Sequence, residues 1–128
     1  MKKNRWLISL ILGLAAFSLV TPTFASTSPQ EATVKEILDN PDSYDQREVK
    51  VAGKAVNLKL KVSKKGNAYT TFSLMDKDYK TLKVFMWGHQ DVRDGDRIEV
   101  TGTFRKVKYV GRYKFYNEIE AERIEKLK

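Results

Sequence analysis

Two groups of side chains in this sequence are suited to gripping an anion. Lys59, Lys61, Lys64 and Lys65 fall within the stretch LKLKVSKKGNAY, residues 58–69, alternate with Leu58, Leu60 and Val62, and run into Gly66-Asn67. Arg105, Lys106, Lys108, Arg112 and Lys114 form the second group. Such cations hold phosphates without reading the bases attached to them. Between the groups, Lys83, Phe85 and Trp87 alternate along one short segment, and Tyr69, Thr71 and Ser73 along another. Tyr109 and Tyr113 add rings within the second basic group. Aromatic rings beside cations are what stacking of unpaired bases requires. Plainer fates compete: a lysine turn that resists edge pairing, tyrosines that brace a hairpin, and Phe85 or Trp87 packed beneath a helix.

Little else is equipped for chemistry. The chain has no cysteine and a single histidine, His89, so a Cys/His zinc site is excluded. His89 and Asp91 have no nucleophile or metal cluster near them in sequence, and Asp76 and Asp78 bracket Lys77 in a turn. No phosphate-binding glycine loop and no nucleophile elbow is present. No catalytic residue, metal ligand or cofactor is expected, and the expected reading is a binding module, not an enzyme.

The charge is polarised along the chain. Residues 49–75 carry six lysines and no acid, and residues 100–117 carry five bases and no acid. A directed electrostatic surface for an anionic partner needs such segregation. Lys2, Lys3 and Arg5, then an apolar run from Trp6 to Val20, then small residues at Thr23 and Ala25, have the form of a secretory signal peptide. Residues 1–25 are therefore expected to be removed, taking the net charge from +8 to +5 and leaving no stable membrane span. The apolar run is shorter than the ~20 residues of a spanning helix, so a retained anchor is the lesser alternative. The expected location is periplasmic or secreted.

The elements that must position these groups are mostly strands. Ser28-Pro29-Gln30-Glu31 reads as a capping box, and Val34, Ile37 and Leu38 follow at helical spacing until Asn40-Pro41. Residues 26–47 are thus a helix and connector, and 48–128 a β domain. From Glu48 the period becomes two. Strands are predicted from Glu48, over Ala68–Met75, over Thr81–Trp87, around Ile98–Phe104 and over Tyr113–Ile124, with a bulge at Gly53. A turn is predicted at Lys64-Lys65-Gly66-Asn67 and a loop within Lys106–Gly111. Curling so few strands into one core requires bends, which Gly53 and Gly102 are placed to provide. A mainly β, five-stranded Greek-key barrel with a short N-terminal helix is the economical solution.

The ordered stretches Val49-Lys-Val-Ala-Gly53, Phe72-Ser-Leu-Met-Asp76, Leu82 to Gly88, Gly95-Asp-Arg-Ile-Glu-Val-Thr-Gly102 and Ile119-Glu-Ala121 resemble the OB-fold nucleic-acid-binding domain, in its tRNA-anticodon-binding-like form. The resemblance implies an OB barrel whose ligand crosses its second and third strands, clasped by the loops after the first and fourth, which it puts at residues 58–67 and Arg105–Tyr113. It makes Lys59, Lys61, Lys64, Lys65, Tyr69, Thr71, Lys83, Phe85, Trp87, Arg105, Lys106, Lys108, Tyr109, Arg112 and Tyr113 the candidate nucleic-acid-binding residues. The expected partner is single-stranded DNA or RNA, or another polyanion, bound with little sequence preference. The alternative is an envelope scaffold or stress-response OB domain that binds a protein or a small ligand.

Overall fold

Alternation of apolar and polar residues becomes strand from Glu48 onward, and five strands close into a ring. In the computed structural model the described residues are 28–128, so the expected signal peptide lies outside them. A two-residue strand β1 (Gln30–Glu31) precedes helix α1 (Val34–Asp39) and a 3₁₀ turn at Pro41–Ser43. The long strands are β2 (Glu48–Val62), β3 (Ala68–Met75), β4 (Thr81–Trp87), β5 (Arg97–Val110) and β6 (Tyr113–Lys126). Their order is β2-β3-β4-β6-β5, with β5 pairing back onto β2. This is the expected OB-type barrel, closed by the parallel pairing of β4 with β6.

Strand β2 serves two partners. Its first half, Glu48–Lys54, runs antiparallel to β5, and its second half pairs with β3. The handover falls at Lys54, which pairs with both Arg97 and Met75, and a register shift follows between Val56 and Lys59, where Asn57 takes φ 59°. Asparagine tolerates that left-handed conformation better than most residues do. The bulge therefore lies at Asn57 and not at Gly53, which pairs in register with Ile98. Gly53 answers a different need, because a Cβ there would stand 2.7 Å from the Met75 carbonyl oxygen. Gly102 is tighter still: a Cβ there would collide with the Glu120 carbonyl oxygen, beside the register shift that bends β6.

The barrel interior is filled by Val49, Val51, Ala55, Phe72, Leu74, Leu82, Val84, Ile98, Val100, Phe104 and Ile119, all buried. Helix α1 adds Val34 and Ile37 to the same core. Its capping box is Thr33–Glu36, five residues further along than the Ser28–Glu31 pattern indicated. Thr33 Oγ1 accepts from the Glu36 amide at 3.0 Å, and Glu36 Oε1 accepts from the Thr33 amide at 2.9 Å. Gln30 and Glu31 instead pair in parallel with Val49 and Lys50. Starting at Val34 lets a six-residue helix present Val34 and Ile37 together to the core.

Candidate functional site

Cross-strand register arranges the outward side chains of the barrel in rows. Lys61, Tyr69 and Trp87 form one row, and Lys59, Thr71, Phe85 and Glu120 form the next. A third holds Val56, Ser73, Lys83, Glu118 and Arg105. Successive strands thus bring lysines from β2, rings from β3 and β4, and carboxylates from β6 onto one continuous face. Tyr69, Phe85 and Trp87 cluster there: the Tyr69–Phe85 centroids are 5.2 Å apart and the Phe85–Trp87 centroids 5.0 Å, edge to face. Trp87 is 58% exposed, so it is not packed beneath the helix.

The β2–β3 hairpin keeps its charge available. Lys59, Lys61, Lys64 and Lys65 are exposed, and none has a carboxylate partner among the described residues. Most of the predicted loop is strand, which continues to Val62 and turns only over residues 63–67. The segment between β4 and β5 covers the open edge of β2 at this end. Asp94 Oδ1 accepts from the Leu58 amide at 2.8 Å, and His89 Nε2 lies 3.0 Å from the Lys61 carbonyl oxygen. Thr70, buried on the inner side, donates to the Gly88 carbonyl at 2.7 Å and accepts from the Gln90 amide at 3.0 Å. His89 therefore serves as a brace.

The second basic group is placed differently. Residues Lys106–Val110 are not a loop, since β5 runs through them and turns only at Gly111-Arg112. Three of its five cations are matched by acids from elsewhere in the chain. Arg105 pairs with Glu120, and Lys106 Nζ lies 2.6 Å from Asp42 Oδ1. That carboxylate, through hydrogen bond and charge, raises the Lys106 pKa. Lys108 Nζ reaches Glu118 Oε1 at 2.7 Å and Glu120 Oε2 at 3.2 Å, and sits 4.2 Å above the Phe85 ring. The Lys108 and Glu118 side chains are only 14% and 10% exposed. Lys108 is thus a nearly buried tie between the ribbon and the ring cluster, not a cation on an open rim. Burial pushes the Glu120 carboxyl up, but its hydrogen bonds and charge interactions with Arg105 and Lys108 outweigh that and hold it below the ordinary carboxylate range.

Tyr109 and Tyr113 do not extend one platform together. Tyr109 stands opposite Lys114, and Tyr113 opposite Val110, in adjacent rows of the ribbon. Adjacent rows point to opposite faces. Arg112 and Lys114 have no carboxylate partner among the described residues and lie over the Tyr113 and Tyr109 rings, at 5.9 Å and 5.6 Å. Sequence reasoning missed Glu118 and Glu120 as parts of this face. Their spacing of two, on either side of buried Ile119, was the available signal.

At the other end of β3, a groove of about 830 Å³ is lined by both signs of charge, including Lys35, Lys54, Arg97, Asp76 and Asp78. Asp76 is occupied there, accepting from the amides of Asp78 and Lys80 at 2.9 Å each. No group of His, Asp and Glu among the described residues is arranged to hold a metal ion.

No family model matches the sequence, and no curated protein matches it. Among solved structures, a chain described as an aspartyl-tRNA synthetase from Leishmania major Friedlin is similar over 82% of this chain, with 13% identity and a TM-score of 0.56. The aligned part is 22% of that chain. At such identity the likeness concerns fold alone, and it agrees with the OB-like barrel built by β2–β6.

Proposed function

We propose that this protein is an exported OB-fold module that binds single-stranded nucleic acid with little sequence preference, and that it is not an enzyme. The observation that carries the reading is the row Lys61–Tyr69–Trp87 beside Lys59 and Thr71. It puts ammonium groups without a carboxylate partner among the described residues along one border of a ring cluster in which Trp87 is exposed and Tyr69 and Phe85 are half-buried. A single strand laid there stacks a base on Trp87 and Tyr69 while its backbone follows the β2–β3 hairpin. Lys64 and Lys65 at the hairpin tip lengthen the cationic track. The far border is closed to phosphates, because Glu118 and Glu120 absorb Arg105 and Lys108. The fold likeness to a tRNA synthetase chain is in keeping with this reading.

Oligo-dT titration followed by tryptophan fluorescence tests it. The chain has two tryptophans, so the quenching due to Trp87 is the part that Trp87→Phe removes. Binding should weaken log-linearly with salt, with a slope of about −0.7 per neutralised phosphate, and duplex should not compete. Absence of Trp87 quenching by oligo-dT would sink the reading. Salt-insensitive binding of a protein or small ligand at this face would favour the envelope-scaffold alternative.

A further inference from the structure

Beyond Lys108, which ties the β5–β6 ribbon to the ring cluster, the ribbon takes no part in that face. From the pair Val107–Tyr116 to the pair Val110–Tyr113 the two strands are paired, among the described residues, only with each other. Tyr109, Val110, Tyr113, Phe115 and Tyr116 are between 43% and 67% exposed. They are divided between both sides of the ribbon: Tyr109 and Tyr116 belong to one set of rows, and Val110, Tyr113 and Phe115 to the other. A groove for a protein partner, or a stacking platform for bases, calls for apolar groups on one side. Apolar groups all round a projecting tip suit a medium that surrounds the tip. The only charges from Tyr109 to Asn117 are Arg112 and Lys114, both positive and both without a carboxylate partner among the described residues.

We propose that this hairpin tip docks in the interfacial layer of an anionic lipid bilayer. Tyrosine rings settle at headgroup level, where one end of the side chain is apolar and the other wet. Arg112 and Lys114 then meet lipid phosphates, while the outer backbone groups of the ribbon stay hydrated among the headgroups. The two residues per strand beyond Lys108, at about 3.3 Å each, give roughly 7 Å of projection, within the ~5–10 Å depth of interfacial binding. No helix among the described residues is long and apolar enough to cross a membrane, so this docking does not rely on a described spanning helix. The ring-lined strand face is left exposed when the tip is engaged.

Co-sedimentation with vesicles tests the proposal on the exported form from Ser26, which keeps every described element and lacks the apolar run Trp6–Val20. It should pellet with phosphatidylglycerol/phosphatidylcholine vesicles and stay in solution with phosphatidylcholine alone. Val110→Ser combined with Tyr113→Ser should weaken the association about tenfold. Arg112→Ala and Lys114→Ala should each weaken it about fivefold, whereas Lys64→Ala with Lys65→Ala should leave it unchanged. Oligo-dT affinity of the tip variants should stay at the parent value, which separates this result from the fate of the nucleic-acid reading. The proposal is overturned by failure to pellet, or by pelleting that the tip variants do not reduce. It is overturned equally by a dimer that Val110→Ser with Tyr113→Ser dissolves, since a second copy would then cover the ribbon.

Discussion

The two basic hairpins look alike in sequence and differ in space. In the β2–β3 hairpin the lysines lie in rows with rings and hydroxyls, and no acid reaches them among the described residues. In the β5–β6 hairpin the inner cations are matched by Asp42, Glu118 and Glu120, and at the tip Arg112 and Lys114 have no carboxylate partner among the described residues. An acid-free window in sequence is therefore not an acid-free surface. Lys106 meets an aspartate 64 positions away. Lys108 meets glutamates supplied by its own partner strand.

The largest effect expected from this contrast is on stability. Lys108→Ala removes one partner of a nearly buried ion pair and strands Glu118, which should cost about 3 kcal/mol. Lys61→Ala removes an exposed, unpaired ammonium and should change stability by less than about 0.5 kcal/mol. Urea unfolding of the two variants decides the matter, and equal losses would erase the distinction between the hairpins. Next is Trp87→Ala, which should lower oligo-dT affinity by about 1–3 kcal/mol with the unfolding midpoint little changed. The third effect is on salt dependence. Lys59→Glu with Lys61→Glu should flatten the slope by about 0.7 for each phosphate that is no longer neutralised, whereas Lys106→Glu should leave it as it was.

The smallest expected effect is a pH dependence. Glu120 has a depressed pKa in the folded protein, so its ion pairs stabilise the fold above the ordinary glutamate range. That contribution fades as the pH falls from there through the lowered folded value. Acid unfolding of the parent should accordingly show a steeper loss below about pH 4.5 than Lys108→Ala, whose Glu120 has one of its two partners removed. Parallel acid profiles would show that this network does not set the acid limit.

Much of the barrel can be read from residue types. The bounds of β3 and β4 coincide with the alternation in Ala68–Met75 and Thr81–Trp87, because each strand has one face on the core and one outside. The ring cluster is legible for the same reason: Tyr69, Phe85 and Trp87 lie on the outward parity of two adjacent strands. The outer β5–β6 ribbon reads as a loop because it leaves the core, so no inward face imposes an apolar period on Lys106–Val110. The capping box is ambiguous in sequence because Ser28–Glu31 and Thr33–Glu36 both satisfy the pattern. Only the docking of Val34 and Ile37 into the core chooses between them. A glycine inside a strand suggests a bulge at Gly53, whereas the bulge comes from Asn57, and Gly53 is needed where another backbone passes close by.

The handover at Lys54 has a consequence for how this protein can vary. Up to that residue β2 pairs with β5; beyond it the strand is held, among the described residues, by β3 and by the latch formed by Asp94 and His89. Residues 63–67 can therefore be lengthened, shortened or exchanged as a cassette without disturbing the interior. Grafting a different turn there would change the charge that the hairpin presents while the scaffold keeps its melting behaviour.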